Sequence, residues 1–224
     1  MFERTIKLIG EENLNKIKSK TICVIGLGGV GGSACEALIR SGVENIIIVD
    51  YDIIDISNLN RQIITTNNNL NNKKVLEMEK RIKSINNKCK VTVIDSFIDK
   101  DNINLIFDNN INYLIDACDS VSTKELLISN CLDSGIKFIS CMGTGNKLDP
   151  CKLEITDIRK TSYDPLAKII RKYVLDNNIK GKIPVVYSKE VNSKFKGSIP
   201  SMIFVPSTAG IMCANFVICD IINN

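Results

Sequence analysis

Histidine is absent from this 224-residue sequence. Its absence excludes Ser-His-Asp and Cys-His catalysis, histidine-ligated zinc or haem, and an imidazole proton shuttle. Carboxylates, Lys, Arg, thiols, hydroxyls and backbone groups must carry any chemistry. No C-x-x-C pair occurs among the nine cysteines, at 23, 35, 89, 118, 131, 141, 151, 213 and 219, which excludes paired zinc and redox motifs. The odd count and irregular gaps do not match a disulfide framework. The charged N-terminus MFERTIKLIGEENLNKIKSK does not match a signal peptide. A cytoplasmic protein with reduced thiols is expected. Most of the cysteines (23, 35, 118, 131, 141, 213 and 219) then serve as small apolar packing residues. Charge is missing from Gly197 to Cys219, a stretch long enough to span a membrane. Pro200, Pro206, Asn215 and four hydroxyl residues interrupt it, so a buried strand, a turn and a buried helix are expected instead.

What is present suits one large domain. Apolar residues make up 44% and charged residues 24%, enough for a sizeable core. Strands are expected at 21–25, 45–50, 91–94, 113–117, 137–142 and 152–157. Helices are expected at 30–41, 73–85, 101–107 and 121–133, with another after Asp164-Pro165. The strands are continuous apolar runs, as in a parallel sheet covered on both faces. Between Lys152 and Lys196 lie eleven basic residues, against six acidic ones in the whole of 152–224. This stretch reads either as a solvated lysine-rich surface or as a phosphate-facing patch. Lysine outnumbers arginine by 23 to 6, a bias that draws attention to Arg4, Arg40, Arg61, Arg81, Arg159 and Arg171.

The first strand runs into Gly26-Leu-Gly28-Gly29-Val-Gly31-Gly32, a G-x-G-x-x-G between strand and helix. Gly26 permits a tight turn, Gly28 a close approach to phosphate, and Gly31 close helix–strand packing. The helix N-terminus offers free N–H donors to an anion. Asp50 follows Gly31 by 19 residues, at the end of the next strand, where an acid binds ribose hydroxyls. A Rossmann-like α/β nucleotide site is therefore expected, and the absence of G-x-x-x-x-G-K-[ST] disfavours a P-loop. The following Asp50-Tyr-Asp52, Ser57-Asn58-Leu-Asn60-Arg61-Gln62 and Lys74 add two cations beside the glycine loop. Two cations exceed what a pyrophosphate held by backbone needs, and suit a triphosphate. Each alone could be an ordinary surface residue.

Together these segments resemble the ubiquitin-activating superfamily of ATP-dependent adenylating enzymes. So do Asp116-Ala-Cys-Asp119-Ser120-Val-Ser-Thr-Lys124, the opening Arg4-Thr-Ile-Lys-Leu8-Ile-Gly10, and the late Ser198-Ile-Pro200 and Val205-Pro-Ser207-Thr-Ala-Gly210. Within it, Asp119-Ser120-Val before Lys124, Met142-Gly-Thr-Gly145-Asn-Lys-Leu-Asp149-Pro150 and Asp164-Pro165-Leu166-Ala167 are similar to the branch that dehydrates threonylcarbamoyladenosine on tRNA. The stretch Lys152 to Met212 lacks the cysteine that carrier-protein activators place after the nucleotide domain. A thioester or persulfide step there is therefore not available. Val205 or a neighbour stands where some members carry a cysteine before the last helix, which weighs against a sulfur relay; whether a sulfur-transfer protein binds is left open.

The resemblance implies one α/β domain, a mostly parallel sheet flanked by helices. Residues 1–150 would form its nucleotide-binding portion and 151–224 a substrate-binding β/α elaboration. It implies ATP and Mg²⁺ as cofactors, tRNA carrying threonylcarbamoyladenosine as partner, and a homodimer. Arg61, Lys74 and the second subunit's Arg4 would stabilise phosphate charge, Asp119 would hold Mg²⁺, and Asp50 the ribose. Gly26, Gly28, Gly29, Gly31, Asp52, Asn58 and Ser120 would line the nucleotide. Lys168, Arg171 and Lys172 would face the tRNA, or else form the solvated side of a helix whose core side is Leu166, Ile169, Ile170 and Tyr173. Three other readings stand beside this one: an adenylating activator of a ubiquitin-like sulfur carrier, a nicotinamide-dependent oxidoreductase, and a non-catalytic nucleotide-sensing or scaffold module.

Overall fold

The computed structural model describes residues 1–191 and 195–224. Two short helices, α1 (Glu3–Ile9) and α2 (Glu11–Ser19), precede β1 (Thr21–Ile25). Then follow α3 (Gly29–Ser41), β2 (Asn45–Val49), α4 (Lys74–Ile85) and β3 (Lys90–Ile94). The chain continues through α5 (Asn104–Phe107), β4 (Tyr113–Asp116), α6 (Val121–Ser134) and β5 (Lys137–Cys141). It closes with β6 (Leu153–Asp157), α7 (Pro165–Asp176), β7 (Pro184–Ser188) and α8 (Phe204–Asn223). The seven strands form one sheet in the order β3-β2-β1-β4-β5-β7-β6. All pairs are parallel except β6 with β7. This is the expected α/β, Rossmann-like architecture.

Strand pleating divides the core. Ile22 and Val24 of β1 point into a cluster with α2, α3, α4 and α8. Cys23 and Ile25 point to the other face, beneath α5, α6 and α7. Both faces are covered, so the strands read as unbroken apolar runs. Helix signals in the sequence match the termini: Ser120 accepts from Thr123 N at the start of α6, and Asp164 accepts from Ala167 N at the start of α7.

Helix α8 is long and apolar enough to cross a membrane, the one such helix among the described residues. Its Val205, Ala209, Cys213, Ala214, Val217 and Ile221 are instead buried in the core. Contact with α3 is close at Gly210, where an added Cβ would lie 2.1 Å from the Val30 carbonyl oxygen. Backbone cannot yield as a side chain can. Gly210→Ala should therefore cost at least the 1–3 kcal/mol, roughly, of ordinary overpacking, read as a lowered thermal midpoint.

Several expectations need correction. The strand expected at the start of the uncharged Gly197–Cys219 stretch does not form: residues 198–203 are irregular chain, with α8 beginning only at Phe204. Pro200 has no N–H for a ladder, and the carbonyls of Pro200 and Ser201 are taken singly by Asn146 N and Asn60 Nδ2. Strand β7 was not expected, because its five buried residues sit in a lysine-rich stretch too short to show a period. The helix expected at 101–107 shrinks to Asn104–Phe107, since Asp99 and Asn102 side chains fold the preceding residues into turns. On α7 the core side is Ala167, Ile170 and Val174, while Ile169 is exposed. Cys219 is exposed and so is not a core packing residue, while Cys118 is half-buried and packs against the edge of the core.

Candidate active site

The chain order makes one switch point. From β1 it winds outward through β2 and β3, then returns to β4 on the other side of β1. Open α/β sheets bind ligands at the strand C-termini beside such a reversal. A cavity of about 380 Å³ opens there.

Gly26 leaves β1 with φ +85°, and its amide donates to the Val49 carbonyl at 2.8 Å. A Cβ on Gly26 would meet the Ala117 carbonyl oxygen at 2.8 Å, so only glycine lets the loop pass the end of β4. Asp50, nearly buried, ties two turns together. Its Oδ2 accepts from Leu27 N at 2.6 Å and its Oδ1 from Asp52 N at 2.8 Å. An isolated bridge between Ile53 and Lys73 then brings the start of α4 beside the glycine loop. Lys74 is 5% exposed and its Nζ lies 2.7 Å from Asp52 Oδ2. The intervening segment turns on a capping box between Asp55 and Asn58, which aims Arg61 at the cavity. Arg61 Nη1 donates to Ser57 O at 2.7 Å and Asn60 Oδ1 at 3.0 Å.

The arginines divide by role. Arg40 and Arg81 pair with Glu36, and Arg159 with Asp157. Arg61 lines the cavity and has no ion pair among the described residues. Asp119 and Ser120 enter from the strap after β4, with Asp119 exposed to the cavity. Beneath that strap Lys124 is fully buried, 2.9 Å from Asp116 Oδ2. Burial alone would lower its ammonium, but the Asp116 carboxylate outweighs this and holds it above the ordinary lysine value. Burial, and then Asp116, keep the Cys118 thiol protonated, far above its usual range.

Gly26, Gly28, Gly29, Asp50, Asp52, Asn58, Arg61, Lys74, Asp119 and Ser120 therefore line one cavity. Gly31 does not. It lies beneath the loop, where a Cβ would stand 1.7 Å from the Gly26 carbonyl oxygen, and it serves helix–strand packing. Arg4 is exposed on α1 and does not line its own chain's cavity. Arg171 is partly engaged: its Nη1 donates to the carbonyl and hydroxyl of Thr161 at 2.8 and 2.6 Å. Lys168 and Lys172 are exposed, and Lys194 lies outside the described residues.

Sequence reasoning gave no role to Gln62, which lines the cavity and whose buried Oε1 has no hydrogen-bond partner among the described residues. It also missed Tyr51 and Phe97, edge-to-face at 5.2 Å on the rim. The signal for Phe97 was its position just past the C-terminal end of β3. Ile199 and Ser201, from the chain before α8, close the far side.

The chain matches known proteins along its whole length. The ThiF family profile covers residues 2–157. The tRNA threonylcarbamoyladenosine dehydratase of Bacillus subtilis (strain 168) is 37% identical over 241 aligned residues, spanning 100% of this chain and 95% of that protein. The crystal structure of the E. coli tRNA N6-threonylcarbamoyladenosine dehydratase in complex with ATP superposes with a TM-score of 0.93 at 34% identity, covering 99% of this chain and 93% of that one. A probable molybdopterin-synthase adenylyltransferase of Porphyra purpurea is 38% identical over 129 residues, but these are 57% of this chain and 32% of that protein. The chain belongs to the ThiF family, in its tRNA threonylcarbamoyladenosine dehydratase branch.

Proposed function

We propose that this chain uses ATP to activate the carboxylate of threonylcarbamoyladenosine in tRNA and closes the modified base into a ring, losing water overall. The observation that carries this is the cavity at the switch point. It gathers the glycine loop, Arg61 with no acid partner among the described residues, Lys74 and Asp119, in a chain similar to the dehydratases from end to end.

A carboxylate oxygen attacks the α-phosphorus of ATP and pyrophosphate leaves, giving an acyl-adenylate. The base's own carbamoyl group then closes the ring and expels AMP. An ionised carboxylate needs no general base to attack, so a chain without histidine loses nothing in that step. Ring closure is intramolecular and gains its rate from proximity. What the protein must supply is phosphate binding and charge stabilisation.

The residues suit ATP. A Cβ on Gly28 would meet only Gln62 Nε2, at 3.8 Å, so that stretch of backbone is open to the cavity. It and the N-terminus of α3 would hold phosphate oxygens. Asp50 keeps lone pairs for the ribose hydroxyls beyond its two backbone bonds. Arg61 and Lys74 would neutralise the phosphates, with Asp52 orienting Lys74 and Asn58 and Ser120 completing the wall. Arg4 would act from a second copy, since it does not reach its own cavity. Mg²⁺, when bound, would neutralise the phosphates from Asp119. No group of three acids or thiols converges among the described residues, and a magnesium ion carried by phosphates needs only one or two carboxylates.

Residues 151–224 would form the substrate side of this single domain. Exposed Lys168 and Lys172 on α7 would face the tRNA backbone. The double variant Lys168→Glu/Lys172→Glu should weaken tRNA binding for all sequences alike and lower the salt slope by roughly two. An unchanged slope in filter binding would remove α7 from the tRNA face.

The function itself is tested by incubating the protein with ATP, Mg²⁺ and tRNA bearing or lacking the modified base. AMP release that requires the modified tRNA supports the proposal. Release that requires a ubiquitin-like carrier protein instead would select the sulfur-carrier activator.

A further inference from the structure

A second chamber of about 500 Å³ adjoins the nucleotide cavity. Ala117, Cys118, Asp119, Thr144 and Ile199 line both. Its remaining lining is largely apolar, including Met142, Leu166 and Phe195. Besides Asp119, one acid stands in this wall. Asp164 is 3% exposed. Its Oδ1 accepts from Ala167 N at 2.7 Å and caps α7. Its Oδ2 is buried and has no hydrogen-bond partner among the described residues.

Capping does not account for that second oxygen. One acceptor atom suffices, and Ser, Thr or Asn would supply it without burying a charge. The nearby cation does not hydrogen-bond to it: Lys147, 3% exposed, feels the Asp164 charge but donates to the Glu190 carbonyl at 2.8 Å. Space beside the oxygen depends on Gly143, where a Cβ would lie 2.7 Å from Oδ2. A buried, unpaired carboxylate oxygen beside an apolar chamber is a proton acceptor without a donor.

The proposed reaction releases a proton there. In threonylcarbamoyladenosine a carbamoyl carbon joins two N–H groups. Ring closure forms one bond to the acyl carbon, from a carbamoyl nitrogen or oxygen, and breaks the bond from that carbon to the AMP oxygen. AMP leaves with the electron pair. Whichever atom attacks, one N–H must give up its proton for the product to be neutral. We propose that the second chamber holds the carbamoyl group and adenine, and that Asp164 is the catalytic base that accepts this proton. The assignment rests on the function proposed above and adds the base for its second step.

The test separates the two half-reactions. Wild-type enzyme and Asp164→Asn are given ATP, Mg²⁺ and modified tRNA. ATP–pyrophosphate exchange reads adenylation, and mass spectrometry of the digested tRNA reads ring closure. Asn keeps the cap but takes no proton. Closure should fall by about 10²-fold or more while exchange falls far less, and hydroxylamine should trap the accumulating acyl-adenylate as a hydroxamate. Asp164→Ser, which also keeps the cap, should show the same split if the Asn variant folds poorly. Closure near the wild-type rate in a folded variant, or closure and exchange falling in parallel, would overturn the role. No exchange in the wild type would overturn the proposed function itself, and this base with it.

Discussion

Replacing Arg61 with alanine is expected to lower ATP–pyrophosphate exchange by about 10²–10³-fold while leaving the fold intact. The two halves of this expectation have separate causes. Stability is spared because the side chain does little for the fold. Its guanidinium donates only to Ser57 O and Asn60 Oδ1, both local and exposed. The turn itself is held by backbone: Arg61 N and Gln62 N donate to Asn58 O, and the Asp55–Asn58 capping box stands without Arg61. Exchange is lost because no neighbour can take over. Lys74 Nζ is already 2.7 Å from Asp52 Oδ2, so its charge is partly answered before phosphate arrives. The other arginines of known partner are held by Glu36, Asp157 or Thr161. Arg61→Lys should fall between wild type and alanine, since a point charge replaces a planar fork. Circular dichroism and thermal melting check the fold, and labelled pyrophosphate checks exchange. Near-normal exchange in a folded Arg61→Ala protein would remove Arg61 from the site.

Much of this site was legible in the sequence, because its parts are local. A buried parallel strand reads as an unbroken apolar run, and β1, β2 and β4 gave that signal. Gly26 and Gly31 follow from backbone geometry that no other residue tolerates there. Lys74 could be placed because it opens a helix, although its Asp52 partner, 22 residues earlier, could not. What was not legible comes from chain separation. Ile199 and Ser201 reach the cavity from an irregular segment with no period. Gln62 stood in a recognised motif, but an unpaired buried oxygen exists only in three dimensions. Asp164 could be read as a helix start, with nothing to mark its second oxygen. The hydrogen bond from Arg171 to Thr161, ten residues away, has no signature in composition or spacing either.

Lys124→Met is expected to produce the largest loss of stability. Lys124 is 0% exposed and its partner Asp116 is 1% exposed. The ammonium has three donors, and they meet Asp116 Oδ2 at 2.9 Å, Cys141 O at 2.8 Å and Ser140 Oγ at 3.2 Å. Asp116 is further engaged by Ser140 Oγ at 2.6 Å and by Cys118 N at 3.2 Å. Methionine fills similar space but removes the charge, and a buried carboxylate left alone costs about 3–5 kcal/mol. For a chain of this length each kcal/mol shifts the midpoint by about 2–4 °C, so a fall of roughly 10 °C is expected. The pH dependence follows from the direction of the lysine shift. Burial would lower the Lys124 ammonium, but Asp116 overcomes it and holds it above its ordinary value. The stabilisation is then complete below the ordinary lysine value and is lost only as pH rises through the raised one. The penalty should stay level across neutral pH. Adding Asp116→Asn to Lys124→Met should recover part of the loss, because the orphaned charge goes with it; a double-mutant cycle measures the coupling. Activity should fall as well, since the pair lies beneath the strap that presents Asp119 and Ser120 to the cavity. A single-variant midpoint equal to wild type would mean that Asp116 does not depend on Lys124 for its charge, and that the strap is held by its backbone alone.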